Sequence, residues 1–392
     1  MTRVPLLLIT VVCVCSKINA QSREQLWRED IMTFVDTIQS KQINFDKHID
    51  LNAFGNTINR LLDSLEVYSD GQIEYTLQTL ISKLRISHSQ IGLNSSFSIP
   101  IGFELFDDGL FIVATSEPYT EYIGQKVLAI NSVPIREIFA KSREIYSYEN
   151  DNWLQVKFTQ NINSVSFLQF IGVENVQDSI MLLTKDKGEF NVFTSQESKQ
   201  MIPDEDITKL LLFNTKGKNY WLDTLTSSVM YVQYSRCRED PNQSISEFAQ
   251  EFRMAMRNYK IEKVVFDLRY NGGGNSRIIR NLIKEIKKSV PEKIYVLTSK
   301  RTFSSGVLSA MYLKDSLEGS IVGNETGGSP NSYGEVKSFQ LPNSKLTVDY
   351  TTAYISHGYP TWGTLYPDVI IPYLSQYYLQ GIDPILEYIL ND

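Results

Sequence analysis

The stretch VVFDLRYNGGG, from Val264 to Gly274, constrains the fold more than any other part of the chain. Its apolar start is typical of a buried strand, and three consecutive glycines follow. Glycine lacks a Cβ, so it is used where the chain turns with a positive φ or where another group comes close to the backbone. We therefore expect a strand that ends in a tight or functional loop.

Strand and helix patterns alternate on both sides of this stretch. The strand-like segments are VMYVQY, VVFDL, KIYVLT and GSIVG, and the helix-like segments between them are SISEFAQEFRMAMRNY, NSRIIRNLIKEIKKS and SSGVLSAMYLKDS. This order predicts a βαβ-type sheet. Upstream, helical spacing in residues 23–40 and 54–87 predicts an N-terminal helical region, and short apolar runs from about Ile91 predict a small β-rich unit.

The first twenty residues, MTRVPLLLITVVCVCSKINA, have the three-part pattern of a secretory signal peptide. A short membrane anchor is the alternative, but the apolar run is short for a bilayer, and no later run approaches bilayer length. Removal of these residues takes away Arg3 and Lys17, so the formal charge changes from −7 to −9. An acidic chain argues against nucleic acid as a partner. We expect a secreted or periplasmic protein with no integral membrane segment.

Cysteine and histidine are scarce. Cys237 is the one cysteine after residue 20, so the mature chain should hold no internal disulfide, and its place at the end of a predicted strand favours burial. The three histidines, His48, His88 and His357, do not have the spacing of a zinc site. We expect neither a metal nor an organic cofactor.

Two strand–turn–helix junctions, DLRYNGGGNS and VLTSKRTFSSGVLSA, could carry chemistry, because functional groups gather at the carboxyl edge of an α/β sheet. Ser304 and Ser305 stand at the start of a predicted helix, where a serine can act as a nucleophile. The N–H groups of Ser305 and of Gly273 or Gly274 could bind an oxyanion.

Simpler interpretations exist for each part of these junctions. Ser304 could be the N-cap of the helix. The glycine loop could cradle a phosphate, although it lacks the spacing of phosphate-binding motifs. We interpret Asp267 and Arg269 as structural residues that hold the loop through hydrogen bonds.

Taken together, these segments resemble the C-terminal processing (tail-specific) serine peptidases. The resemblance rests on VVFDLRYNGGG, TSKRTFSSG, IVGNETGGSPN and the PD of LYPDV, and GQKVLAINSVPI is similar to the end of a PDZ-like module. It implies an α/β (α+β) fold with a ClpP/crotonase-like βαβ core. Together with the patterns described above, the resemblance divides the chain into a signal peptide at 1–20, an N-terminal helical region at 21–90, a PDZ-like module at 91–145 and a peptidase core at 146–392.

The resemblance also implies roles for individual residues. Ser304 corresponds to the nucleophile. Classical members use a lysine as base, but Ser329 stands at that position, so the chain is more similar to the histidine-using branch of tricorn-type and interphotoreceptor retinoid-binding-like proteins. In that branch the histidine precedes the PDZ-like module, which corresponds to His88 in LRISHSQI; His357 is the competing base.

The acid that orients the histidine is not identified by the resemblance. Thr361 stands where the histidine-using relatives have a glutamate, and Glu325 is an alternative. A triad acid mainly holds the tautomer of the histidine, so its loss leaves appreciable catalysis.

Two functions follow from these residues. The first is an exported serine endopeptidase for a protein or peptide substrate, with Ser304 as nucleophile, His88 as general base and backbone N–H groups as the oxyanion site. The second is a catalytically inactive peptide- or ligand-binding protein on the same scaffold, which the missing lysine and glutamate favour.

Overall fold

The structure is a computed structural model that describes residues 21–93, 97–197, 199–288, 291–359 and 363–392. The predicted signal peptide (residues 1–20) and Thr361 lie outside the described residues. Within the described ranges, no helix combines the length and the apolar character needed to cross a bilayer.

The helices of the described residues are α1 (Arg23–Lys41), α2 (Phe45–His48), α3 (Leu51–Asp63), α4 (Asp70–Ser82), α5 (Ile135–Ser142), α6 (Asp151–Asn161), α7 (Val165–Phe170), α8 (Glu205–Lys209), α9 (Ile245–Asn258), α10 (Ile278–Ile286), α11 (Ser305–Leu317), α12 (Ser375–Tyr378) and α13 (Pro384–Asn391). The strands are β1 (Gln90–Ile91), β2 (Ile101–Phe106), β3 (Gly109–Thr115), β4 (Lys126–Ile130), β5 (Val133–Pro134), β6 (Ser179–Thr184), β7 (Gly188–Phe193), β8 (Ile202–Pro203), β9 (Tyr220–Thr224), β10 (Val229–Tyr234), β11 (Lys263–Asp267), β12 (Lys293–Thr298), β13 (Ser320–Gly323), β14 (Ser332–Gln340), β15 (Thr347–Ile355) and β16 (Val369–Ile370).

A six-stranded sheet in the order β16-β13-β12-β11-β10-β9 forms the core. Neighbouring strands from β16 to β10 are parallel, and β9 is antiparallel at the edge. The crossovers from β10 to β13 contain α9, α10 and α11 in turn, which confirms the βαβ organisation and the α/β fold predicted from the sequence. Because the strands are parallel, their carboxyl ends meet at one edge of the sheet.

Both faces of this sheet are buried, which explains why its strands are continuous apolar runs. On one face, Val264 and Phe266 of β11 pack with α9, α10 and α11. On the other face, Val265 packs with Ile385 and Ile389 of α13. The sheet therefore holds the start of α11 in a fixed place above its carboxyl edge.

A second, antiparallel sheet runs in the order β2-β3-β4-β6-β7, with β5 paired to β4 and β8 to β3. Its apolar face packs against α5, α6 and α7. Strands β6 to β8 come from residues 179–203, so this sheet extends along the chain beyond the module that the sequence places at 91–145. That module and the other domain limits stay predictions.

The N-terminal helices pack on a three-stranded sheet, β1-β15-β14, rather than standing apart from the rest of the chain. Residues 90 and 91 of β1 pair with residues 349 and 348 of β15. This pairing fixes the loop between α4 and β1, which carries His88, relative to the C-terminal half.

Candidate active site

Ser304 occupies a strained turn between β12 and α11. It stands at the N-cap position of α11 with φ 52° and ψ −126°, and its side chain makes no capping hydrogen bond. A non-glycine residue with positive φ and this ψ costs roughly 1–3 kcal/mol. The hydroxyl is half-buried and accepts and donates no hydrogen bond within the described residues. Helix capping, the simpler interpretation of this serine, is therefore not its role in the structure.

The turn at Ser304 packs closely against two glycines, Gly273 and Gly328. A Cβ at Gly273 would lie 2.8 Å from the Cβ of Ser304 and 3.0 Å from the amide N of Ser305. A Cβ at Gly328 would lie 2.8 Å from the amide N of Ser304. Contacts this short do not occur for real side chains, so only glycine at both positions permits the turn.

The glycine loop is positioned by Asn271. The side chain of Asn271 donates to the carbonyl O of Tyr234 (2.8 Å) and accepts from the amide of Gly273 (2.9 Å). The backbone carbonyl O of Asn271 accepts from the amide of Phe303 (2.9 Å). Through its side chain and its backbone carbonyl, the buried Asn271 thus joins the end of β10, the glycine loop and the serine turn.

These contacts correct one part of the predicted oxyanion site. The amide of Gly273 already donates to Asn271, so it is not a free donor. The amides of Gly274 and Ser305 have no acceptor among the described residues. The hydroxyl of Ser305 donates to the carbonyl O of Gly274 (2.7 Å). This hydrogen bond joins the two residues whose amides remain as candidate oxyanion donors.

His88 lies beside the serine turn although it is far away in sequence. The centroid of its ring is 4.7 Å from that of Phe303, the residue before Ser304, and the ring of Trp153 stacks on Phe303 at 3.7 Å. Its Nδ1 is buried and has no hydrogen-bond partner within the described ranges. No hydrogen bond joins His88 to Ser304; catalytic hydrogen bonds often tighten only when substrate binds.

The surroundings of His88 keep its ring neutral. Burial, together with the nearby charge of Lys157, lowers the pKa of His88 to about 4, and the charge of Asp349 opposes this shift. Lys157 donates to Gln90 (2.7 Å), whose side chain in turn donates to Asp349 (3.3 Å). A neutral imidazole is the form that can accept a proton from a serine hydroxyl.

The other two histidines lie elsewhere. His48 is hydrogen-bonded to the hydroxyl of Tyr333 (2.8 Å) in the N-terminal region. His357, the competing base, has its ring 6.5 Å from that of Tyr312, which lies two turns along α11 from Ser304. Burial and Arg280 lower the pKa of His357.

Ser329 and Glu325, in the loop after β13, form hydrogen bonds with other segments of the chain. Ser329, at the position of the missing lysine, is buried and accepts from the amide of Gly363 (2.9 Å). Glu325 accepts from Asn152 (3.2 Å) and lines a cavity of about 250 Å³ together with Glu104 and Lys300. Within the described ranges, Glu325 makes no contact with His88, so the structure does not bring this candidate acid to the ring.

Asp267 and Arg269 are structural, as predicted. The buried guanidinium of Arg269 forms ion pairs with Asp267 (2.6 Å) and Asp383 (2.7 Å). Cys237 is buried, also as predicted, and its thiol donates to Asn271 (3.4 Å). Burial raises the pKa of this thiol, which keeps it unreactive.

Three residues of this region, Asn271, Asn150 and Glu149, were not predicted from the sequence. Asn271 directly precedes the glycine run, so a hydrogen-bonding residue at a turn was the available signal. Asn150 caps α6 and reaches the carbonyl O atoms of Thr326 (3.3 Å) and Gly327 (3.0 Å). Such long-range contacts leave no mark in the sequence pattern.

A shallow pocket of about 380 Å³ opens beside the glycine loop. Its lining residues are Ser235, Arg236, Arg238, Tyr270, Gly272, Gly273 and Gly274. Arg236 and Arg238 are exposed, so the pocket is positively charged at its rim. Within the described ranges, no cluster of histidine, cysteine and carboxylate side chains could hold a metal ion.

Solved structures resemble this fold over most of the chain. Mature CPAF complexed with lactacystin has a TM-score of 0.66 at 12% identity, covering 93% of this chain and 97% of that one. Mature CPAF has a TM-score of 0.63 at 13% identity, covering 93% and 96%, and a CPAF point mutant has 0.62 at 12%, covering 94% and 98%. No family model and no curated protein matches the sequence. The chain therefore has the fold of CPAF.

Proposed function

We propose that the protein is a serine peptidase in which Ser304 is the nucleophile and His88 the general base. The observation that carries this proposal is the conformation of Ser304. The backbone of Ser304 is strained, and its hydroxyl makes no hydrogen bond within the described residues. The amide of the next residue, Ser305, at the start of α11, is also without an acceptor there. This is the arrangement expected of a nucleophile on a sharp strand-to-helix turn.

The chemistry follows from the positions of these groups. The Ser304 hydroxyl attacks a peptide carbonyl carbon, and its proton passes to His88. The π electrons of the carbonyl move to its oxygen, which the amides of Ser305 and Gly274 stabilise as an oxyanion. His88 then gives its proton to the leaving amine, the acyl–Ser304 ester remains, and water hydrolyses the ester by the same route.

A fluorophosphonate probe tests this assignment. We expect the wild-type chain to be labelled on Ser304 and Ser304→Ala to remain unlabelled. Ser316→Ala is the matched control, since Ser316 lies at the far end of α11; it should label at the wild-type rate. Ser305→Ala should still label, but more slowly, because its hydroxyl anchors Gly274.

Absence of labelling on correctly folded wild-type protein would contradict the proposal. It would support the alternative, a peptide- or ligand-binding protein without catalysis. Lactacystin, the compound found in one CPAF structure, offers a second probe of the same serine.

We further propose that the substrate is a protein or peptide and that the chain is exported. The fold shared with CPAF supports the first point, and the pattern of residues 1–20 supports the second. Detection of the mature chain, starting near Gln21, in the medium or the periplasm tests export; retention of the full-length chain inside the cell would contradict it.

A further inference from the structure

The catalytic set proposed above lacks an acid for His88, and the structure contains an unassigned buried carboxyl beside it. Glu149 lies in the segment between α5 and α6, which no sequence motif marks. Its Oε1 accepts from the backbone amide of Ser87 at 3.4 Å. The carboxyl therefore contacts the residue that directly precedes His88.

Three buried polar atoms at this place have no hydrogen-bond partner among the described residues. They are Oε2 of Glu149, Nδ1 of His88 and Oγ of Ser87. Buried polar atoms are almost always hydrogen-bonded, and an exception needs an explanation. Two of these atoms lie on the consecutive residues Ser87 and His88, and the third belongs to the carboxyl that contacts the amide of Ser87. Together they indicate one network, closed through a bound water or on substrate binding.

Glu149 is also fixed to the loop that supports the nucleophile. The next residue, Asn150, donates to the carbonyl O atoms of Thr326, Gly327 and Gly363. The following glycine of the same loop, Gly328, lies against the amide of Ser304. The segment 149–150 thus connects the loop of His88 with the turn of Ser304.

We propose that the carboxyl of Glu149 is the positioning group for the ring of His88. This inference rests on the proposed function. Nδ1–H of His88 donates to the Glu149 carboxylate, which leaves Nε2 to accept the proton of Ser304. When that proton arrives, the carboxylate stabilises the imidazolium, as the acid of a triad does.

The charges around this pair predict a pH dependence. Burial raises the pKa of Glu149 to about 8, and hydrogen bonding to Ser87 opposes this rise. The charged and titratable groups nearby are His88 and Arg85 before β1, Lys157 of α6 and Asp349 of β15. An ion pair between Arg143, directly after α5, and Asp151 of α6 also lies nearby. Only the ionised form of Glu149 can stabilise the imidazolium, so the rate of acylation of Ser304 should rise as the pH passes 8.

Nuclear magnetic resonance of the histidine rings tests the pairing without requiring catalysis. The chain has three histidines, so His48 and His357 serve as internal references. In the wild-type chain the ring signals of His88 should move when Glu149 ionises near pH 8, and those of the references should not. Glu149→Gln keeps the side-chain shape and should abolish this movement; Glu144→Gln, at an exposed position of the same segment, should keep it.

Labelling by the fluorophosphonate gives the functional readout. Above pH 8, Glu149→Gln should label roughly 10,000-fold more slowly than the wild type, the order of the loss when a triad carboxylate is replaced by an amide. The variant should also lack the rise in rate near pH 8. A slower rate with an unchanged pH profile would indicate a merely structural role and overturn the inference, as would a His88 shift that persists in Glu149→Gln or never occurs. Absence of labelling in a wild-type chain whose His88 signals do shift would instead overturn the proposed function and leave the pairing intact.

Discussion

At the scale of single residues, the site depends on glycines, whose lack of a Cβ leaves room for the backbone of the serine turn. Gly273 has φ 106°, and a Cβ there would press on both Ser304 and Ser305. Gly272, directly before it, has no atom within 4 Å of the position of a Cβ. A side chain should therefore be tolerated at Gly272 but not at Gly273, and alanine substitutions can distinguish the two positions.

Gly273→Ala should lower the rate of fluorophosphonate labelling roughly 100-fold, because the methyl group displaces the amide of Ser305, the proposed oxyanion donor. It should also lower the free energy of unfolding by about 1–3 kcal/mol through backbone strain. Gly272→Ala is the control and should change the free energy of unfolding by less than about 0.5 kcal/mol. Equal labelling rates for the two variants would refute this account of the loop.

At the scale of elements, the buried ion pairs of Arg269 join the core sheet to its C-terminal helix. Asp267 ends β11, and Asp383 caps α13 through the amides of Ile385 (3.2 Å) and Leu386 (3.3 Å). The hydroxyl of Tyr231 on β10 donates to Asp267 as well (2.7 Å). The guanidinium thus compensates two carboxylates that water does not reach.

Arg269→Met should lower the free energy of unfolding by about 3–5 kcal/mol, because two buried carboxylates lose their counterion. Urea denaturation measures the effect. The control is Arg143→Met, which removes an exposed pair with Asp151 and should cost about 0–1 kcal/mol. The interpretation fails if the two variants are equally stable.

Individual elements show why some of this structure could be predicted and some could not. Strands β10 to β13 and helices α9 to α11 have strong local patterns, and the predictions were confirmed. The pairing of β1 with β15 joins residues more than 250 positions apart in the sequence. Two-residue strands carry no periodicity, so only the folded chain reveals that they bring His88 towards the serine turn.

At the scale of the whole molecule, Glu149 should give the stability of the protein a distinct pH dependence. The folded-state pKa of its carboxyl is about 8, raised from 4.5 by burial. The folded state therefore binds the extra proton, and the resulting stability is complete below pH 4.5 and is lost as the pH rises through 8. His88 acts in the opposite direction, but only as the pH falls from 6.5 to about 4.

Between pH 6.5 and 8 the free energy of unfolding of the wild-type chain should fall by about 2 kcal/mol, since one pKa unit corresponds to about 1.4 kcal/mol. Glu149→Gln should be flat over this range, and Glu144→Gln should follow the wild type. Denaturation curves at several pH values provide the measurement. A slope that survives in Glu149→Gln would assign it to another group.

The candidate site was only partly predictable for a related reason. Ser304, Ser305 and the glycine loop lie in motifs that sequence alone can mark, and the structure places His88 against the same turn. The positions of Glu149 and Asn271 depend on contacts with the distant residues Ser87 and Tyr234. The amide of Gly273 donates to Asn271 within the same loop, but the sequence does not show that this amide is engaged. Residues that meet only in the folded chain do not form a local sequence pattern, so they cannot be predicted from such a pattern.

The most direct test of the central claim compares His88, the proposed general base of Ser304, with His357, the other candidate. Rates of fluorophosphonate labelling should be measured for His88→Gln and His357→Gln, with folding checked by circular dichroism. We expect His88→Gln to label roughly 100- to 10,000-fold more slowly than the wild type, the range that general-base catalysis contributes, and His357→Gln to label at the wild-type rate. Wild-type labelling in His88→Gln, or its loss in His357→Gln alone, would contradict the account.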